Sequence, residues 1–264
     1  MQKLLVVKIG GNIIDNAPAL DSFLASLAAI DTPKILVHGG GKLATELSTK
    51  LNIPTQMVEG RRITDTETIK VVTMTYAGWV NKTIVAQLQA KGCTAIGLSG
   101  ADAKLIPAVK RPVKDIDYGW VGDLEAKKVN AAFLKTLLAS GVTPVVAPIS
   151  CNAEGNLLNV NADTVARTLA EAMGKDYAVT LAYCFEKNGL LMDVNDDNSV
   201  IEEITLVNAQ ELKASGVISN GMVPKIDNAF GAIGNGVNTV VIGHANNIVK
   251  MANHEAGFGT YIKA

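Results

Sequence analysis

The chain has 264 residues, 48% of them hydrophobic and 19% charged, with a formal net charge of −1. That balance describes a globular protein with room for a substantial core and excludes a disordered chain. Near-neutral charge without a basic run, and an aromatic content of only 5%, speak against phosphate-backbone binding and base stacking, so no nucleic-acid partner is expected.

In chain order, residues 4–9 read as a buried strand and 17–30 as a helix with Leu20, Phe23, Leu24, Leu27 and Ile30 on its apolar side. Residues 34–38 form a second buried strand, and 42–51 a helix stopped by Asn52-Ile53-Pro54. A long helical stretch covers 65–91, with Gly78 inside it and Gly92 as its stop. A third strand follows at 94–99, then a polar stretch at 104–123, broken by Pro107, Pro112 and Gly119, that suits a hairpin or flap. Residues 130–140 read as a helix, 143–149 as a fourth strand and 163–173 as a helix that Asp163 suits as N-cap. Beyond it come a strand at 177–181, helices at 207–215 and 222–234, and a strand at 239–242. Alternation of this kind predicts an α/β fold with a mostly parallel sheet and helices on both faces, in which ligands sit beyond the carboxyl ends of the strands.

Two strands run directly into glycines: Lys8-Ile9-Gly10-Gly11 and His38-Gly39-Gly40-Gly41-Lys42. Glycines at such a place bring bare N–H groups up to an anion. The first loop has its lysine before the glycines and is not a P-loop, and G-x-G-x-x-G fits neither. Lys8 is either a solvated strand-end lysine or a cation aimed at a phosphoryl group; His38 reads first as a satisfied structural group. In Asn159-Val160-Asn161-Ala162-Asp163 the three polar side chains would share one side of an extended segment, with a polar turn and cap as the blander reading. Arg61-Arg62 is a carboxylate fork or a solvated pair. Lys225, in the first turn of a helix opened by Gly221-Met222-Val223-Pro224, sits where the dipole disfavours a cation unless an anion lies nearby. Two lysines, glycine N–H groups and an aspartate suit phosphoryl transfer, which needs positioning and charge neutralisation more than a strong base. The cysteines Cys93, Cys151 and Cys184 fit no disulfide framework or zinc spacing, no apolar run is long enough to span a membrane, and no signal-peptide layout precedes the first strand. A cytoplasmic protein with no membrane partner is expected.

Together, Lys8-Ile-Gly-Gly11, His38-Gly-Gly-Gly41, Gly60-Arg-Arg62, Leu158-Asn-Val-Asn-Ala-Asp163 and Gly221-Met-Val-Pro-Lys225 resemble the amino acid kinase family, and within it the members acting on N-acylated glutamate. The resemblance covers essentially the whole chain, in order. It implies an open αβα sandwich of two lobes, 1–170 for the acylated glutamate and dimerisation and 171–264 for ATP. The implied reaction is ATP-dependent phosphorylation of the side-chain carboxylate of N-acetyl-L-glutamate, a step of arginine biosynthesis. Lys8 and Lys225 would stabilise the moving phosphoryl group, with Asp163 holding both. Gly10, Gly11 and Gly41 would donate to the phosphate. Arg62 and Asn159 would grip the substrate carboxylate beside Gly40 and Gly41, with Asn161 in the same cluster. Tyr183, Gly189, Leu190, Leu191, Val217, Ile218 and Ser219 would contact the nucleotide. Mg2+ would enter with the ATP phosphates rather than in a protein cage.

One segment departs from the family pattern: Thr180-Leu-Ala-Tyr183-Cys184-Phe185-Glu186-Lys187-Asn188-Gly189 lacks the usual aspartate and has a longer turn. The chain also begins at its first strand, without the extra N-terminal helix of arginine-inhibited hexameric members, which points to a homodimer. The acyl group stays open between acetyl and succinyl; Lys104, Lys110 and Arg111 read first as a solvated face, with partners for a succinyl carboxylate as the alternative. Carbamate, aspartate, free-glutamate and uridylate kinases share the resemblance more weakly, and a non-catalytic binding protein is the alternative from another class.

Overall fold

The computed structural model describes the whole chain except residues 59, 194, 219–221 and 264 and the side chain of Pro224. Strand β1 (Gln2–Ile9) is followed at once by the short helix α1 (Gly11–Ile14), then α2 (Ala17–Ala28), β2 (Lys34–His38) and α3 (Gly41–Lys50). A small hairpin, β3 (Met57–Val58) and β4 (Arg61–Arg62), precedes one long helical run: α4 (Thr66–Thr73), a π-helical segment (Met74–Val80) and α5 (Asn81–Ala90). Next come β5 (Ala95–Ser99), the hairpin β6 (Ala108–Lys110) and β7 (Gly122–Leu124), α6 (Ala131–Ala139), β8 (Thr143–Ala147), β9 (Ile149–Cys151) and β10 (Leu157–Asn159). The chain closes with α7 (Ala162–Met173), β11 (Tyr177–Phe185), β12 (Glu203–Ile204), α8 (Leu206–Ala214), α9 (Val223–Gly234), β13 (Thr239–His244), α10 (Ile248–Ala252) and β14 (Thr260–Ile262).

Eight strands form one sheet in the order β12-β14-β13-β11-β1-β2-β8-β5. Only β13 with β14 is antiparallel. Because side chains alternate across a strand, the continuous apolar run of β1 feeds two cores. Leu4 and Val6 join α6, α7, α8 and α9 on one face of the sheet, while Leu5, Val7 and Ile9 join α2, α5 and α10 on the other. Burial on both faces is what allows the central strands to be almost wholly hydrophobic. The result is the expected αβα sandwich.

Four sequence expectations need correction. The strand expected at 143–149 is two strands, because Pro148 interrupts it and β9 pairs antiparallel with β10 instead of continuing in the main sheet. The helix at 65–91 is not uniform: it starts at the Asp65 cap but widens to a π turn through Gly78. The strand at 177 runs on to Phe185. Helix α7 is capped by Asn161, whose side chain accepts from the N–H groups of Asp163 and Thr164, and not by Asp163. Strands β12 and β14 and the hairpins β3–β4 and β9–β10 are too short to leave a periodic signal.

Topology brings the two glycine loops side by side. β1 and β2 are parallel neighbours with Ile9 opposite His38, and the Gly39 N–H donates to the Ile9 carbonyl at 3.2 Å. Beneath the second loop His38 is fully buried. Its Nδ1 donates to the Gly39 carbonyl at 2.8 Å and its Nε2 accepts from Asn81 Nδ2 at 3.1 Å, which fixes the neutral tautomer. Asn81 also donates to Val145, and a Cβ at Gly97 would collide with its Oδ1. His38 is thus a structural group and not a base.

Burial lowers the His38 pKa from 6.5 to about 4. Protons therefore bind the unfolded chain before the folded one, so this contribution to stability is complete above about pH 6.5 and is lost as pH falls from there towards 4. The loss reaches on the order of 3 kcal/mol at the acid end, and His254, also lowered by burial, adds to it in the same direction. Denaturant titrations at pH 7 and pH 5 should show the decline. In His38→Gln most of this slope should disappear, although the variant is less stable at both values.

Candidate functional site

Lys8 is the last but one residue of β1, flanked in the sheet by Val37 of β2 and Tyr183 of β11. Its ammonium pairs with Asp163 Oδ1 at 2.8 Å, with the two side chains 19% and 38% exposed. Asp163 lies in the first turn of α7, where the helix dipole favours an anion. With Asn161 serving as the cap, its carboxylate is free for the lysine. This pair stands in the wall of a cavity of about 700 Å³ whose lining includes Gly10, Gly11, Tyr183, Phe185 and Lys225.

A second cavity of about 210 Å³ adjoins it, sharing Arg61, Asn161 and Thr164 as wall residues. Its lining includes Gly40, Gly41, Arg62, Tyr76, Arg111 and Asn159. Arg62 is buried, and it donates to neutral oxygens: the Gly41 carbonyl at 2.9 Å, Thr45 Oγ1 at 2.7 Å and Thr55 Oγ1 at 3.2 Å. Among the described residues no carboxylate lies within ion-pair distance of it. A buried guanidinium without a counter-charge is costly unless a ligand supplies one. Asn159 is held by Thr64 Oγ1 at 3.0 Å. Gly40 adopts φ +143°, and a Cβ there would press on Tyr76 Cδ1 at 3.0 Å, so this position requires glycine for both conformation and space. Burial pushes the Tyr76 hydroxyl above its ordinary range, opposed by the Arg62 charge.

The structure thus divides the predicted residues between two chambers. Lys8, Gly10, Gly11, Asp163, Lys225 and Tyr183 line the larger; Gly40, Gly41, Arg62 and Asn159 line the smaller; Asn161 lines both. Asn159, Asn161 and Asp163 do not share one side, because the extended run ends at the cap and α7 turns Asp163 away. Nor does Asp163 hold both lysines: among the described residues its ion pair is with Lys8, while Lys225 Nζ stands 5.6 Å from the Phe185 ring centroid. Of the expected nucleotide contacts, Tyr183 reaches the larger cavity, its hydroxyl pushed up well beyond the ordinary range by burial first and by Asp163 next. Gly189, Leu190, Leu191, Val217 and Ile218 line neither chamber. The Leu190 N–H bonds Thr260 Oγ1, Leu191 bridges to Val200, and the Ile218 N–H bonds the Leu212 carbonyl. Ser219 lies outside the described residues.

Sequence reasoning missed Arg167 and Glu171, which follow Asp163 at four-residue intervals along the larger chamber. Arg167 Nε donates to Glu171 at 2.6 Å and its Nη1 to Asn228 Oδ1 at 3.0 Å. Asn228 lies on α9, three residues after Lys225, so Arg167 ties the helix of one predicted functional residue to the helix of another. The four-residue period was visible in the sequence; the partner on α9 was not.

An αβα sandwich whose neighbouring parallel strands end in two anion-facing glycine loops, with a lysine–aspartate pair between them, defines a protein built to handle a phosphorylated small molecule. The chain matches the model of the Amino acid kinase family over residues 3–244 and belongs to that family. It is 54% identical over 265 residues to a protein of Cytophaga hutchinsonii named acetylglutamate kinase, covering 100% of both chains. A protein of the same name from Phocaeicola vulgatus is 53% identical over 262 residues, covering 99% of each. Among solved structures, carbamate kinase from Giardia lamblia bound to AMP-PNP shares the fold, with a TM-score of 0.73 at 14% identity over 100% of this chain and 99% of that one.

The Arg167 clasp has a measurable worth. Arg167→Met leaves Glu171, whose side chain is 11% exposed, without its counter-charge. A loss of about 2 kcal/mol is expected, lowering Tm by roughly 4–8 °C in a chain of this size. A thermal shift under 1 °C would show that the clasp contributes nothing.

Proposed function

We propose that the protein transfers the γ-phosphoryl group of ATP to the side-chain carboxylate of N-acetyl-L-glutamate, yielding N-acetyl-L-glutamyl 5-phosphate and ADP, in arginine biosynthesis. The observation that carries this reading is the Lys8–Asp163 pair at 2.8 Å where a chamber of nucleotide size adjoins a smaller one with a buried, unpaired arginine. The relatives at 54% and 53% identity are acetylglutamate kinases by name, which supports the acceptor.

The acceptor needs no general base, because its carboxylate is ionised and nucleophilic at neutral pH. A carboxylate oxygen attacks the γ-phosphorus, and the bond from that phosphorus to the ADP oxygen breaks. Lys8 neutralises charge on the phosphoryl oxygens and is held in place by Asp163. Lys225 approaches from the far wall of the larger chamber. Gly10 and Gly11 supply N–H donors, and Gly41 stands on the acceptor side. Arg62 and Asn159 hold the substrate's α-carboxylate beside Gly40, and Asn161 fixes the partition between the chambers through the start of α7. The gain comes from orientation and from charges already in position.

Mg2+ fits this donor set as a companion of the ATP phosphates. Asp163, Glu171 and Glu186 are the carboxylates in the wall of the larger chamber, and the first two are already engaged by Lys8 and Arg167. When bound with the nucleotide it would shield phosphate charge. The same reading gives residues 1–170 to the acceptor and 171–264 to the nucleotide, and makes the protein a cytoplasmic homodimer. Met74 and Trp79, 52% and 72% exposed on the π-helical segment, offer an apolar surface for a second copy.

A coupled assay of ADP release with N-acetyl-L-glutamate should show turnover that chelation of Mg2+ abolishes; no turnover would refute the reaction. In Lys8→Ala, kcat should fall at least about 100-fold with KM changed only a few-fold, as for a contact that strengthens in the transition state. A change confined to KM would remove Lys8 from that role. Sedimentation of Trp79→Glu should show a monomer where the wild type is a dimer.

A further inference from the structure

Helices α7 and α9 stand side by side and run in the same direction: Arg167 meets Asn228, Glu171 meets Asn235, and Gly174 meets Gly236 in turn. At their carboxyl ends the two backbones touch, since a Cβ at Gly174 would collide with the Gly236 carbonyl. That close approach needs glycine and pins the pair at one end. At their amino ends the helices carry Asp163 and Lys225, both in the wall of the larger chamber. Among the described residues Lys225 makes no ion pair, and its ammonium stands 5.6 Å from the Phe185 ring centroid. Its place is therefore set by the helix that carries it.

Between the pinned end and the chamber, one side chain spans the two helices. Arg167 Nε donates to Glu171 Oε1 at 2.6 Å and its Nη1 to Asn228 Oδ1 at 3.0 Å. The same Glu171 oxygen accepts from Asn235 Nδ2 at 3.1 Å. The remaining nitrogen, Nη2, lies over Gly231, where a Cβ would stand 2.8 Å from it. The guanidinium is thus turned against α9 rather than offered to a ligand. Arg167 follows Asp163 by about one helical turn, and Asn228 follows Lys225 by nearly as much. The spacing of two packed helices is set by the side chains between them. A helix pinned at its far end and braced one turn from its tip holds that tip at one distance.

We propose that Arg167 is a positioning residue for the phosphoryl transfer, a strut that sets how far Lys225 stands from the Lys8–Asp163 pair. This rests on the kinase reading and adds a part that acts through Lys225. A misplacement of about 1 Å can cost roughly 100-fold in rate, so a brace one turn away reaches the chemistry through geometry alone.

The test is transfer of labelled phosphate from ATP to N-acetyl-L-glutamate, sensitive enough to read slow variants and run below the unfolding temperature of each. Arg167→Met should lower kcat at least about tenfold, with KM for either substrate changed less than about threefold. Added to Lys225→Ala, the same substitution should lower kcat less than about twofold further, because the residue it positions is gone. Gly231→Ala is the second variant, since its methyl group displaces the guanidinium from a position outside the chamber lining. It should lower kcat with the same dependence on Lys225 while Tm does not fall, because alanine favours the helix. An unchanged kcat, equal factors with and without Lys225, or a change confined to KM for ATP would each overturn the assignment and leave the kinase reading intact. No turnover by the wild type would remove both.

Discussion

Everything at this site depends on a single ion pair between two elements that meet only through the fold. Lys8 lies next to the end of the central strand and Asp163 begins a helix more than 150 residues later, and their 2.8 Å contact holds the positive charge in the wall of the larger chamber. The pair is only partly shielded from water, so its worth as a stabilising interaction is modest. Its value is geometric. A lysine on a four-carbon stem has many rotamers, and a fixed carboxylate at a helix N-terminus selects one.

That arrangement follows from how the sheet is wound. β1 lies between β2 and β11, so the two glycine loops and Tyr183 surround Lys8 on three sides without any long loop having to be ordered. Where consecutive parallel strands end together, their exposed amide groups form an anion-binding rim. The buried His38–Asn81–Val145 network beneath the rim keeps the second glycine loop from sagging into the core. It does so with neutral hydrogen bonds, adding no charge of its own to a site that already concentrates lysines and arginines.

The strands, most of the helices and the two members of the central pair were legible for a physical reason: they stand in local runs, whereas the pairing of Lys8 with Asp163 came only from the family resemblance. Two apolar stretches ending in glycine, and a polar triplet opening an amphipathic helix, are short-range patterns. Asp163 was found for its chemistry but misread as the cap, since Asn and Asp cap equally well and only the backbone decides between 161 and 163. Arg167 and Tyr76 stayed hidden because their meaning lies in a partner 61 residues away or in a facing glycine. The expected nucleotide contacts at Gly189, Leu190, Leu191, Val217 and Ile218 came from a family pattern whose nearest segment has a different length here. The Leu190 and Ile218 N–H groups bond Thr260 and Leu212, and Leu191 bridges to Val200.

The π-helical segment from Met74 to Val80 turns one helix into two tools. Within the widened segment, Tyr76 packs over Gly40 at the smaller chamber; just after it, Asn81 reaches inward to His38. An ordinary α-helical path could not aim both side chains this way, since each residue advances a helix by about 100° and the wide turn absorbs one residue's worth of rotation. What the chain must keep between Tyr76 and Asn81 is therefore a count as well as the buried Val80. A substitution at the exposed Trp79 changes a surface, whereas deletion of one residue re-phases the helix and sets the chamber and the core against each other.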